Sequence, residues 1–378
     1  MSRNVVAFTT YTPQDHDRWN AFVAQALSGH LMQSWEWGDF KVATGWQVRR
    51  IGIECDGRIV AGAQILLRPL LRLPLTVAYV PKGPIVDLHD SSTMAELMSA
   101  IHQTIRGWRA VFLKIEPNWL DDCTVREILK GYSFRPSLQT NQPRSTIVVD
   151  VSGGEEAVLA KMRHETRKLI RRAARDGVEI AEGTDQDIDD FYKMLRSTSE
   201  IKDFPIHDKV FYEQAWKTFQ SAGSSKLLLA KYQGEIVAGK MMVVFGNRSM
   251  HLWGGTCRTG REAHASYLIQ WEAMKWAMAR GCKYCDLWGI PDEIAEMLGK
   301  GQDIPKEGKG GLWGVYLFKR GFGGQIECYA GAFDFVYSPL LYLLGTTVLM
   351  RRFSVDAISG WLERFSPWPK NDSQSRGD

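Results

Sequence analysis

The 378-residue sequence predicts a mixed α/β protein made of two tandem copies of one module joined by a basic helix. Three features of the chain predict this. A hairpin pattern occurs twice, Asp56-Gly-Arg-Ile-Val-Ala-Gly-Ala-Gln-Ile-Leu-Leu67 being echoed by Gln233-Gly-Glu-Ile-Val-Ala-Gly-Lys-Met-Met-Val-Val244. The segments after each hairpin follow in the same order, and order is what separates a duplication from chance likeness. Between the copies, arginines recur at helical spacing.

Each hairpin has a polar-Gly turn, where glycine tolerates the positive φ of a tight turn, followed by an apolar run. A strand-like stretch precedes each, Val48 to Glu54 and Lys226 to Tyr232. After the first come a strand (Leu75 to Val80), a helix (about Ser92 to Arg106), Gly107 and a strand (Ala110 to Ile115). After the second come a strand (Ser249 to Gly254), a helix (about Ala263 to Arg280), Gly281 and a strand (Tyr284 to Trp288). Each copy closes on a helix-plus-Phe pattern, Ile128-Leu-Lys-Gly-Tyr-Ser-Phe134 and Leu317-Phe-Lys-Arg-Gly-Phe322. This order resembles the GNAT acyltransferase fold, a mixed sheet splayed between two central strands. The expected division is 1–152 and 179–335 for the modules, 153–178 for the linking helix and 336–378 for a C-terminal amphipathic tail.

In the link, Arg163, Arg167, Arg171 and Arg175 lie four residues apart, opposite Leu159, Met162, Leu169, Ile170 and Ala173. This is the pattern of an amphipathic helix with one cationic face. It suits a solvated surface, or contact with the phosphates of RNA or of a diphosphate. Net charge is only +4, so any anionic partner must be read from local clusters. The N-terminus lacks an apolar signal core, and no apolar run reaches the roughly 20 residues of a membrane span. Six cysteines in a long chain, with a single C-x-x-C, indicate reduced thiols and a cytoplasmic setting. Cys282 and Cys285 have no second pair to complete a zinc site, so no metal is expected. In the tail, Phe353, Ile358, Trp361, Leu362 and Phe365 suit docking on the inner membrane face or packing on the second module.

A CoA-dependent GNAT enzyme holds pyrophosphate in a Gly-rich turn at a helix N-terminus. Here the corresponding segments are Pro81-Lys-Gly-Pro84, with two prolines that lack N–H donors, and Thr256 to Ala263, with one glycine. Neither suits CoA, and no cofactor is expected.

Five blocks carry a more specific resemblance. They are Gln33-Ser-Trp-Glu-Trp-Gly-Asp-Phe-Lys41 with Gly45-Trp46, Ala78-Tyr-Val-Pro-Lys-Gly-Pro84, Tyr284-Cys-Asp-Leu-Trp-Gly-Ile290, Gly314-Val-Tyr-Leu-Phe-Lys319 and Tyr329-Ala-Gly-Ala-Phe-Asp334. Their order resembles that of the FemABX peptidyltransferases. The resemblance implies a monomer that transfers an aminoacyl group from aminoacyl-tRNA to the stem-peptide amine of a nucleotide- or lipid-linked peptidoglycan precursor. Staphylococcal-type members carry a long coiled coil, and no heptad run of that length occurs here, which places the chain nearer the compact members.

The resemblance also implies site roles, with acceptor binding in the first module. Lys319, beside Phe318, would stabilise the oxyanion or the leaving ribose, and Lys41 would hold the precursor's diphosphate. Trp35 suits core and pocket wall, and Tyr79 and Lys82, which follow a strand, suit the acceptor groove or a structural turn. The family's second phosphate-binding arginine falls in Thr198 to His207, where this chain offers Lys202 or His207. Asp286, ending a predicted strand, is the candidate to orient the amine or receive its proton. An activated ester requires no covalent nucleophile, and none is evident. The rival readings are a CoA-dependent N-acyltransferase of envelope polysaccharide synthesis and a non-catalytic RNA- or envelope-binding module.

Overall fold

The computed structural model describes residues 3–70, 74–202, 206–304 and 313–344. The first part of the chain forms strands β1 (Arg3–Phe8), β2 (Gln47–Cys55), β3 (Arg58–Leu70), β4 (Leu75–Pro81), β5 (Ala110–Glu116), β6 (Arg135–Pro136) and β7 (Ser145–Asp150). The second part forms β8 (Val178–Glu182), β9 (Ser225–Tyr232), β10 (Glu235–Phe245), β11 (Arg248–Thr256), β12 (Tyr284–Gly289), β13 (Gln325–Cys328) and β14 (Phe333–Val336). Both predicted hairpins are present, as β2–β3 and β9–β10. Their turns, Asp56-Gly57 and Gln233-Gly234, hold positive φ at both central residues, the type I′ geometry that matches strand twist.

Two seven-stranded sheets result, ordered β1-β2-β3-β4-β5-β14-β6 and β13-β7-β12-β11-β10-β9-β8. The two parts exchange strands. β7 crosses into the second sheet between β12 and β13, and β14 returns to the first between β5 and β6. Sheet membership therefore does not follow the expected boundaries at 152 and 335, which track the repeat along the chain. Each sheet has a core on its helix side. In the first, Leu97, Ile101 and Ile105 of helix Ser91–Arg106 pack on Ile65, Leu67 and Leu113. In the second, Leu268, Ile269 and Met274 of helix Ala265–Ala279 pack on Ala238, Met242 and Cys285.

Two expectations need correction. The linking segment is not one helix but two, Gly154–Lys161 and His164–Arg175, broken at Met162 and Arg163. Met162 turns into the core, and Arg167 folds back so that its Nη1 donates to the carbonyls of Leu159 (2.7 Å) and Met162 (2.9 Å). The break thus closes the first helix with a side chain of the second. In addition, only one of the two sheets is splayed. β4 and β5 pair from Thr76↔Ala110 to Pro81↔Glu116, whereas β11 and β12 pair only over Arg248↔Tyr284 to Met250↔Asp286. Every residue of β5 is buried, which favours a continuous ladder, while β12 is bent away from β11 as described below.

The tail begins with helix Pro339–Leu344, whose Tyr342 packs edge-on against Phe112 at 5.3 Å. Phe353, Ile358, Trp361, Leu362 and Phe365 lie outside the described residues. No helix among the described residues is long and apolar enough to cross a membrane.

Candidate active site

The gap between β11 and β12 is built by three local features. Trp288 holds a positive φ of 65°, sparsely allowed for a bulky residue. Its N–H donates to Asp286 Oδ1 at 2.8 Å, which fixes the kink from within. The register against β7 shifts between Asp286 and Gly289, so β12 leans toward β7 and away from β11. The backbone carbonyls freed at the kink do not remain unpaired. Lys319 Nζ donates to Trp288 O at 3.0 Å and Gly289 O at 2.7 Å. Lys319 thus stands at the mouth of the gap. Phe318 beside it packs on Tyr267 and Phe322 with centroids 5.0 and 5.2 Å away, which anchors the short helix Trp313–Arg320.

Behind the gap, between sheet and helix, lies a polar group the sequence reading missed. Gln270 Oε1 accepts from Lys240 Nζ and from His251 Nδ1, the latter at 3.1 Å. A carbonyl oxygen only accepts, so Nδ1 carries the imidazole proton. Burial, with Lys240 and Lys319 nearby, holds His251 well below its ordinary pKa and keeps it neutral. Burial draws the Lys240 ammonium down to about 7. The available signal was Lys240 itself, a lysine where the first hairpin has Ala63.

Asp286 is buried where the two halves meet. It accepts from the Thr146 hydroxyl on β7, and its Oδ2 lies 3.7 Å from Arg248 Nη1. Arg248 also reaches Glu327 Oε2 at 3.2 Å, and the Tyr329 hydroxyl donates to the same oxygen at 2.7 Å. Lys82 arrives from the first half with its Nζ 3.8 Å from the centre of the Tyr329 ring. Burial lowers its pKa to about 8, with Asp286 and Glu116 opposing the shift. His30 completes this seam, its ring 6.1 Å from Trp288. Its Nδ1 accepts from Met32 N, and its buried Nε2 has no partner among the described residues.

Tyr79 is not an open groove wall. Its hydroxyl donates to Glu116, and it accepts from Gln142 Nε2 at 3.2 Å. Glu116 also accepts from the N–H of Asn141 at 2.5 Å, and burial raises its pKa. Sequence reasoning missed Glu116. The repeat offered the signal, since a carboxylate ends β5 as Asp286 occupies β12.

Lys41 and His207, from different halves, meet on one aromatic ring. Lys41 Nζ lies 5.4, 5.2 and 5.3 Å from the rings of Trp37, Phe40 and Phe211. His207 stacks on Phe211 with centroids 3.7 Å apart. The same cluster continues through Trp253, 6.3 Å from Phe40, and Trp288 packs against it. The Lys41 and Lys319 regions are therefore joined through one aromatic cluster. Lys202 ends helix Ile188–Lys202, and its side chain lies outside the described residues. Trp35 is core, packed under Arg50 at 3.9 Å and away from the Lys41 cluster.

Of the link arginines, Arg163, Arg171 and Arg175 are exposed and Arg167 is spent on backbone carbonyls. Arg175 is further drawn to Asp176, so the cationic face is narrower than the spacing predicted. Among the described residues, no cluster of His, Cys, Asp and Glu could hold a metal ion.

Comparison with known proteins completes the picture. The profile of the FemAB family matches residues 14–126, 130–234 and 228–349. A lipid II:glycine glycyltransferase of Staphylococcus haemolyticus is 21% identical, across 88% of this chain and 93% of its own length. The crystal structure of FemX superposes with a TM-score of 0.77 at 20% identity, over 91% of this chain and 99% of that one. A tandem GNAT protein from clavulanic acid biosynthesis superposes with a TM-score of 0.53 at 10% identity, over 89% of this chain and 99% of that one. The two latter likenesses establish the tandem GNAT-like fold.

Proposed function

Because this chain belongs to the FemAB family, we propose that it is an aminoacyltransferase acting on a peptidoglycan precursor, with aminoacyl-tRNA as donor. The observation that carries the reading is Lys319, a cation fixed at the mouth of the only gap in either parallel strand pair among the described residues. An ester held in that gap presents its carbonyl to the ammonium. The acceptor's neutral amine attacks the carbonyl carbon, and negative charge gathers on the carbonyl oxygen, where a placed cation lowers the barrier. The tetrahedral centre then collapses. An amide forms, the bond to the ribose oxygen breaks, and the proton lost by the amine nitrogen goes to that oxygen.

The remaining groups support binding. Lys41, with His207 on the shared Phe211 ring, offers positive charge to the acceptor's phosphates. Lys82 packs on Tyr329 at the seam between the halves, and Tyr79 is bound to Glu116 in the first half. Asp286 orients the kink through Trp288 and is a positioning residue rather than the base. The exposed Arg163, Arg171 and Arg175 offer phosphate contacts to tRNA.

The test is a transfer assay with a panel of charged tRNAs and with both nucleotide-linked and lipid-linked precursors, the product identified by mass spectrometry. One added aminoacyl residue on the stem peptide is expected. Acyl-CoA turnover without response to charged tRNA would overturn the reading.

A further inference from the structure

Thirteen large apolar side chains are exposed among the described residues, and four of them gather at one corner of the first sheet. Leu340, Leu343 and Leu344 project from helix Pro339–Leu344, while Leu341 and Tyr342 of the same helix pack inward on the sheet. Leu138, 81% exposed, follows the edge strand β6. The two groups share one support. The Arg135 guanidinium of β6 lies 4.2 Å from the centre of the Tyr342 ring, and the Ser137 and Tyr342 hydroxyls both donate to Asp334 Oδ2 on β14.

Beside these leucines the charge is positive. A groove of about 650 Å3 opens between β6 and helix Cys123–Gly131. Arg126 and Lys130, one turn apart on that helix, line it together with Arg135 and Arg144. Glu127 is the one carboxylate in the lining, and Asp121 outside it is shared by Arg126 and Arg144. Asp334 is already matched by the buried Lys114 ammonium at 3.1 Å. The edge therefore carries about two surplus positive charges next to a leucine ridge. A second copy of the chain does not relieve them, because a twofold contact sets these cations against their own copies. The 34 residues after Leu344 do not relieve them either, since they carry five Lys and Arg against four Asp and Glu. An anionic bilayer answers both features. Headgroup phosphates meet the cations, and the acyl boundary receives separate leucines without a shaped pocket for each.

We propose that this edge docks the protein on an anionic lipid bilayer, with Leu138, Leu340 and Leu344 entering the boundary between headgroups and acyl chains and Lys130 and Arg135 lying against lipid phosphates. The contact is peripheral and lies in the plane of the surface. It is independent of the transfer reaction proposed above: it sets where the protein is held, and its test requires no turnover.

Cosedimentation of the full chain with vesicles tests the surface. One set is phosphatidylcholine alone, and the other contains about one third phosphatidylglycerol. Wild type should bind the anionic set about thirtyfold more tightly at low salt, the scale of two surplus cations. The advantage should collapse in about 1 M salt, where the Debye length is about 3 Å. The double variant K130Q/R135Q should lose most of it. The double variant L340S/L344S keeps every charge and should still bind the anionic set about tenfold more weakly than wild type, through lost apolar contact. All four side chains are exposed, so folding should survive, which a thermal melt checks. Equal binding of both vesicle sets by wild type, or undiminished binding by either double variant, overturns the assignment. A dimer in sedimentation velocity that L340S/L344S dissolves, without vesicle binding by wild type, gives the leucines to a second copy and overturns it as well. Failure of charged tRNA to support transfer would remove the reaction and leave this surface standing.

Discussion

The two halves repeat one plan, yet they differ at the same structural position. In the first, β4 and β5 are paired out to Pro81↔Glu116, with an apolar core behind them that includes Ala63. In the second, β11 and β12 separate after Met250↔Asp286, and Lys240, His251 and Gln270 stand behind the gap. The helix-plus-Phe closure differs in the same sense. Lys130 of the first copy is exposed, 3.9 Å from Glu127, whereas Lys319 of the second is turned onto the carbonyls released by the kink. A duplicated frame therefore supplies two sheets, but opening one strand pair makes one of them a candidate reaction site. Under the proposed function, the closed copy presents the acceptor.

The sharpest way to break this contrast is to remove the paired lysines in turn. Lys319→Met should lower kcat by about a thousandfold, the upper range for one donor to an oxyanion, with acceptor affinity little changed. Lys130→Met should leave kcat within about twofold, as a surface ion pair contributes little. Steady-state transfer kinetics checks both, and comparable losses from the two would end the distinction between halves. Next in size is Asp286→Ala. It strands the Thr146 hydroxyl, the Trp288 N–H and part of the Arg248 charge, at a cost of about 3 kcal/mol read from a denaturation midpoint. Glu116→Gln in the closed half keeps an acceptor for Tyr79 and should cost about 1 kcal/mol. Smaller again is Lys41→Met, expected to raise KM for the acceptor about tenfold with kcat nearly unchanged, the value of one charge-assisted contact.

Much of this frame was legible in the sequence, because hairpin turns and apolar periodicity are local. The Asp56-Gly57 and Gln233-Gly234 turns announce their own geometry, and helix Ser91–Arg106 follows its pattern to within a residue. What was not legible depends on contacts between distant segments. The exchange of β7 and β14 is one case, since nothing in Ser145–Asp150 says which sheet it will join. The break at Met162 is another. Four arginines at i+4 spacing predict one helix, but burying Met162 and satisfying the carbonyls at the end of the first helix with Arg167 outweighs continuity. Lys319 and Lys41 were singled out by motif likeness, while Glu116 and the Lys240–Gln270–His251 group were not. Comparing the two copies position by position points to both. A carboxylate stands at the last paired position of each parallel strand pair, Glu116 opposite Pro81 and Asp286 opposite Met250, and a lysine replaces an alanine where a core residue is expected.

That last replacement yields the finest test of the contrast, because its signature is a dependence on pH rather than a simple loss. Lys240→Ala makes the open half resemble the closed one at this position. Burial lowers the Lys240 pKa from 10.5 to about 7. Below that value both folded and unfolded chains hold the proton, so the folded state bears the whole cost of a desolvated charge. Between about 7 and 10.5 the unfolded chain binds a proton the folded one lacks, so wild-type stability rises with pH over this window. The alanine variant lacks this gain. Relative to wild type it should therefore be at its best near about pH 6 and lose ground by about pH 9, a relative change of about 2 to 3 kcal/mol or a few degrees of Tm. The absolute offset also contains the lost methylenes, so the slope is the quantity to compare. Ala63→Lys in the closed half should show the same one-proton slope starting from a lower pH, since no glutamine carbonyl waits there to receive the ammonium. A flat difference between Lys240→Ala and wild type would mean that water reaches the Lys240 ammonium, and the gap between β11 and β12 would then lack the low-dielectric floor that gives Lys319 its leverage on a developing charge.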